Sequence, residues 1–352
     1  MKARALVAAM AVMLGWATGA RATVDIETVP VGHPRNTGEL SGEGAGGQGP
    51  DRICGAVDYE YRIGKYEVTA GQYCEFLNAV AATDPYGLYV LMMSWLRQHG
   101  CNIQRSGESG GYSYSVAPDW ANRPVNWVDW GDAARFANWL HNGQPTGTLT
   151  GDPAQDADLT EDGAYFINGA AAIAEFQAVT READWKWAIP TEDEWYKAAY
   201  YDGEAGVYYD YATGTDSRPS NDLVEPTDPG NNATFTRLVA SGEDFTIGSP
   251  YYRTDVGAHE NSESPYGTYD QSGNVSEWTE TVTGSDHAAR GGGWFSGNVF
   301  NPGYGLHAAE RSSGPPYGLS DLVGFRVCQV PEPATLCLLA LGGLAGLRRR
   351  RS

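Results

Sequence analysis

Three stretches of the chain carry apolar residues at helical spacing. In "TAGQYCEFLNAV", Tyr73, Phe76, Leu77 and Val80 recur at i, i+3, i+4 and i+7, and Thr69 stands where an N-cap belongs. In "DWGDAARFANWLHNG", Phe136, Trp139 and Leu140 share a face, Asp129 can cap, and Gly143 ends the run. In "PTEDEWYKAAYY", Thr191 and Glu194 have capping-box spacing, with Trp195, Ala198 and Ala199 turned inward. Core packing accounts for all three faces. "VDYEYRIGKYEVT" alternates like a pair of strands around a Gly turn. Residues 23–50, with "NTGELSGEGAGGQGP", read as a flexible linker, so the folded body is expected from Asp51. Residues 143–186 read as an insert between the second and third helices. Beyond residue 200 the periodic pattern fades into turns rich in Gly, Asn, Asp and Pro.

Both ends follow other rules. Residues 1–22 have the layout of a secretory signal: Lys2 and Arg4, an apolar stretch from Ala5 to Trp16, then Ala20-Arg21-Ala22 as a small-x-small cleavage site. At the other end, Pro331-Glu332-Pro333 precedes an uncharged apolar run from Ala334 to Leu347 and four Arg. As a helix that run reaches roughly 21 Å, short for a stable span. Its Arg block would stay on the cytoplasmic side. Residues 331–352 resemble the PEP-CTERM sorting signal of Gram-negative bacteria. The resemblance implies transient retention in the inner membrane, a sorting or processing protease, then the cell surface or the medium.

Removing both ends takes out seven of the 24 basic residues and one of the 44 acidic ones, which leaves a body with a net charge of −26. Such a surface repels nucleic acid and anionic lipid and favours cations. The body holds Cys54, Cys74, Cys101 and Cys328, which allow three disulfide connectivities outside the cytoplasm. The strand-like settings of Cys54 and Cys328 make that pair the expected bridge. No CxxC spacing is present, and none of the six His falls in an H-x-x-x-H or H-E-x-x-H pattern. The acidic run "GDPAQDADLTEDG" fails the EF-hand template, because Glu161 stands where that loop needs Gly. It reads as a solvated loop. Asp286-His287 reads as a surface turn.

"YEVTAGQYCEFLNA", "RPVNWVDWGDAARFANWL", "IPTEDEWYKAAYY", "SPYGTYDQSGNVSEWTE", "ARGGGWF" and "GFRV" follow one another in order. Together they resemble the sulfatase-modifying-factor family, whose domains are formylglycine-generating-enzyme-like. The resemblance covers residues 57 to 328 and implies a domain over 51–330. It implies an α+β, C-type-lectin-like fold with little regular secondary structure. It also implies calcium, held by the Asp270 and Glu277 side chains and the Gly273 and Val275 carbonyls, with a second site near Asn232 and Asp244. Hard carboxylate and carbonyl oxygens suit that ion.

Active members of the family follow Arg-Gly-Gly-x-Trp with two copper-binding cysteines, and they oxidise a substrate Cys to formylglycine. Here Arg290-Gly291-Gly292-Gly293-Trp294 is followed by Ser296 and Asn301 at those positions. Neither is a soft ligand, so copper is not expected. The iron-dependent sulfoxide-synthase relatives need a His-rich partner domain that has no counterpart here. A Ser296–His307 nucleophile pair lacks a triad context. The reading is therefore a surface-exposed module that binds a glycan, a peptide or a matrix component through Trp294, Phe295, Ser296, Asn298, Asn301 and Tyr304. Its aromatic-rich loops "PYGLY", "GGYSYS" and "GPPYG" suit such ligands. The alternative is a formylglycine-generating oxidase acting on a sulfatase-type substrate.

Overall fold

A computed structural model describes residues 23–94, 99–223, 229–239, 242–296 and 303–330. The three helices form where the periodicity places them. Ala70–Val80 starts at a capping box: Gln72 N–H donates to Thr69 Oγ1 (3.2 Å) and Thr69 N–H to Gln72 Oε1 (2.9 Å). Trp130–His141 is capped in the same way by Asp129 and Asp132, and Glu192–Tyr200 by Thr191 and Glu194. The first two helices meet over an aromatic cluster. Phe136 lies 5.3 Å from Phe76 and 5.4 Å from Phe325, and Tyr73 is 5.4 Å from Phe76. All four rings are fully buried, so truncating any one to Ala costs about 3–5 kcal/mol.

Two four-stranded sheets flank this core. In the first, Thr28–Val31 pairs with Tyr61–Gly64, which pairs with Cys328–Gln329, which pairs with Trp187–Ala188, all antiparallel. In the second, the hairpin Ser276–Thr283 and Asp286–Arg290 is bordered by Ser312–Gly314 and, in parallel, by Val323–Gly324. Separate helices and mainly antiparallel sheets make the fold α+β.

Several expectations are corrected. Residues 28–31 and 39–41 of the presumed linker are strands. Its glycines serve close packing: a Cβ on Gly47 would stand 2.2 Å from the Ala309 carbonyl oxygen. "VDYEYRIGKYEVT" is one strand, Tyr61–Gly64, and its partners are distant in sequence. The insert's acidic run is no solvated loop. Buried Asp156 accepts from the Thr150 and Gly151 N–H groups and the Tyr86 hydroxyl, and buried Glu161 pairs with Arg135 at 2.7 Å. The longest strand among the described residues, Ser276–Thr283, lies in the region expected to lack regular structure. His287 belongs to that hairpin, buried and stacked 3.9 Å from Trp130.

The expected Cys54–Cys328 bridge is absent. All four described cysteines are free and buried, and the two strands that carry this pair belong to different sheets. The Cys54 Sγ accepts from Arg290 Nη2 (3.2 Å), and Cys328 donates towards Glu194 (3.7 Å).

Candidate functional site

The second sheet sets up the site. Its hairpin delivers Arg290 and the glycine run to the mouth of a cavity of about 560 Å³. Trp278, Phe295, Tyr304, Arg311, Leu319 and Leu322 are among its walls. The glycines are required there. Gly291 and Gly292 have φ of 91° and 66°, which L side chains rarely adopt. A Cβ on Gly292 would come within 2.8 Å of the Gly305 backbone.

Arg290 is fully buried and serves structure. Its Nε donates to Glu192 Oε1 (2.7 Å) and its Nη1 to the carbonyls of Ala308 (2.7 Å) and Glu310 (2.6 Å). Arg311 also binds Glu192, and Arg52 stands 3.5 Å from the same carboxylate. Burial pushes the Glu192 carboxyl up, but Arg290 and Arg311 outweigh it, so the group lies below the ordinary range. The guanidiniums thus pin the start of the Glu192–Tyr200 helix to the floor of the groove.

Ser296 lines the cavity, but its Oγ accepts from the Gly293 N–H at 2.7 Å and so closes a local turn. His307 is engaged elsewhere, with Nδ1 accepting from Ala309 N–H (3.0 Å) and Nε2 3.5 Å from Asp210. The two do not form a nucleophile and base. Tyr304 lines the groove with its hydroxyl buried beside Glu310. Trp294 is only 3% exposed, with Nε1 donating to the Asp321 carbonyl (3.1 Å). Phe295 is 38% exposed. Asn298 and Asn301 lie outside the described residues.

The calcium set is brought together around a buried ion pair. Glu277 accepts from Arg326 Nε (2.5 Å), Arg326 Nη2 (2.7 Å) and Trp195 Nε1 (2.7 Å). Asp270 Oδ2 accepts from Gly257 N–H (2.6 Å), and burial, with a smaller push from Glu277, raises its carboxyl to about 6. Gly273 N–H donates to the Gly291 carbonyl. Val275 N–H reaches Glu67 at 3.4 Å. Sequence reasoning missed Glu67, which is buried here and pushed well up by burial and by Asp270 and Glu277. The Asn274 Oδ1 is buried without a partner. Three carboxyl groups share the single buried Arg326, two of them held up by crowding and burial, and one amide oxygen has no partner, an oxygen-rich setting that fits a cation at this loop. Among the described residues no three His, Cys, Asp or Glu side chains close into a cage, so carbonyl oxygens would have to complete the shell. In the second set, Asp244 Oδ2 lies 3.5 Å from Arg237 Nε across a hairpin, and Asn232 is buried with its N–H on Ser262.

Comparison with known proteins agrees with this architecture. Residues 39–330 match the model of the sulfatase-modifying factor enzyme 1-like domain. Residues 329–351 match the PEP-CTERM protein-sorting motif, which implies recognition by a C-terminal sorting protease and export by membrane-associated sorting. Among the described residues no helix is long and apolar enough to cross a membrane. No curated protein matches the chain. Among solved structures, the Treponema denticola variable protein 1 superposes with a TM-score of 0.50 at 19% identity, over 88% of this chain and 97% of that one. CarF (TM-score 0.45, 21% identity, 88% and 99% covered) and PvdO from Pseudomonas aeruginosa (0.45, 17%, 86% and 94%) are also similar. The fold is thus C-type-lectin-like, and the chain belongs to the sulfatase-modifying factor enzyme 1-like family.

Proposed function

We propose that the chain is an exported binding module of the cell surface or its matrix, which holds a glycan, peptide or matrix ligand in the groove beside Arg290. In this reading calcium at the Asp270 loop stabilises the scaffold, and the family's cysteine oxidation is not carried out. The observation that carries the reading is Ser296. A cuprous ion needs soft sulfur donors. The groove offers instead a hydroxyl already bonded to the Gly293 N–H, while all four described cysteines are buried. The remaining walls combine the Trp278, Phe295 and Tyr304 rings and the Leu319 and Leu322 side chains with glycines and polar groups such as Glu310, Arg311 and Ser312, a mixture that suits a ligand cleft.

The test pairs two assays on the purified full-length protein. Copper content is measured alongside turnover of a Cys-containing peptide, and retention on extracted matrix polysaccharide is measured for the parent and for Leu319→Glu. Leu319 is exposed and lines the groove, so this change blocks the cleft without touching the core. Retention lost in the variant, with no bound copper, supports the module. Stoichiometric copper with peptide oxidation refutes it and favours the oxidase.

A further inference from the structure

Beside the groove lies a second cavity of about 370 Å³, walled by His99, Phe245, Tyr252, Trp294 and Phe295, with Glu243 and Asp321 also lining it. The rings form a corner. Phe245 and Tyr252 stand edge to face, 5.2 Å apart at 73°. Trp294 closes the back, 4.9 Å from Tyr252 and 4.7 Å from His99. Phe295 flanks it, 5.4 Å from Trp294 and 6.4 Å from Phe245.

Two of these walls are held in an uncommon backbone state. Tyr252 has φ 58° and His99 has φ 67°, in the left-handed region that bulky residues avoid. Such strain persists where surrounding structure enforces it, and it collects at binding sites. The His99 ring is fixed by Asp321 at 2.9 Å. Arg253, next to Tyr252, is fully buried and turned away, donating to the carbonyls of His99 (3.0 Å) and Gly100 (2.9 Å).

We propose that this aromatic corner binds a quaternary ammonium group of the choline or trimethylated-amine class. Ring faces attract a cation through their quadrupoles, most strongly when the cation is weakly hydrated and leaves water readily. The Glu243 and Asp321 carboxylates add attraction, and the strongly acidic body raises the local concentration of cations. A neutral sugar would instead need donors as well as acceptors around an exposed flat ring. The cavity shares Phe295 and Leu322 with the main groove, so the ammonium would anchor one end of a ligand whose remainder lies there. The inference thus deepens the binding-module reading and rests on it.

The test is calorimetric titration of the full-length protein with choline and with 3,3-dimethylbutan-1-ol, its neutral carbon isostere. Choline is expected to bind at least about tenfold more tightly than the isostere, the scale of a desolvated cation–π contact. Tyr252→Leu is expected to remove most of that preference. Glu243→Gln, on an exposed strand position, is expected to reduce choline affinity about two- to fivefold while leaving the melting temperature in place. Equal affinity for choline and the isostere, or no binding of either, overturns the proposal, as does an unchanged preference in both variants. Binding to phosphatidylcholine vesicles, set against binding to a trimethyl-lysine peptide, tells a lipid source from a protein one. If choline fails while matrix retention still depends on Leu319, the cage is wrong and the groove reading stands. If retention also fails, both fall.

Discussion

Replacing Glu277 by Gln separates two roles assigned to one side chain. As an ion-pair partner, Glu277 compensates Arg326, which is fully buried and receives two of its contacts, at 2.5 and 2.7 Å. Breaking a buried pair by neutralising one partner costs about 3–5 kcal/mol, because the other charge loses the counter-ion bonded directly to it. Arg326 keeps other acceptors, the carbonyls of Gly64 (2.9 Å), Lys65 (3.4 Å) and Tyr269 (2.8 Å), which places the loss near the lower end, about 3 kcal/mol. At roughly 2 cal/mol/K of unfolding entropy per residue, a domain of this size changes by about 0.6 kcal/mol/K, so the melting temperature should fall by about 5 °C. The assay is a thermal melt with excess EGTA and with millimolar calcium. A fall of this size in EGTA shows that the Arg326 pairing dominates. If the variant melts like the parent in EGTA and differs only in calcium, the reasoning is refuted and Glu277 acts chiefly as a metal ligand.

Calcium itself should raise the melting temperature of the parent, and Asp270→Ala should abolish that response; an equal rise in the variant would remove the loop as the site. Burial pushes the His287 imidazole down to about 4. The unfolded chain takes up a proton near pH 6.5 that the folded state refuses, so stability is full above that pH and drains by about 3 kcal/mol as pH falls towards 4. His287→Gln should flatten that limb in denaturant titrations across the range. Gly47→Ala should destabilise by about 1–3 kcal/mol in urea, since its Cβ would meet the backbone oxygen of Ala309. Glu161→Ala leaves Arg135 buried without its 2.7 Å partner and should cost about 3–5 kcal/mol by the same measurement.

What the sequence revealed about the fold followed interaction range. The caps at Thr69, Asp129 and Thr191 were legible because each is satisfied within three residues. The strand Thr28–Val31 was not, because its pairing residues lie thirty or more positions away and it sits in a segment whose glycines imitate a linker. Ser276–Thr283 was hidden for another reason. Glu277 and Thr279 are buried with bonded polar groups, so the strand lacks the apolar alternation that marks a half-buried one. The insert's Glu161 read as a surface charge because its partner Arg135 lies 26 residues away, and Asp156 because one of its donors is the Tyr86 hydroxyl, 70 residues away.

The same contrast governs the site. The glycine run and the missing thiolates could be read directly, since backbone freedom and ligand softness belong to single residues. Glu67 could not, because only folding places it between Asp270 and Glu277. The aromatic corner is the extreme case: Trp294 and Phe295 come from the glycine-run motif, but His99, Phe245, Tyr252 and Asp321 join them only through folding. In this chain the family's motifs specify where a groove stands. Its occupant is set largely by side chains outside those motifs, such as Tyr304, Leu319, Phe245 and Tyr252, so family membership leaves the ligand open and the chemistry of the walls must decide it.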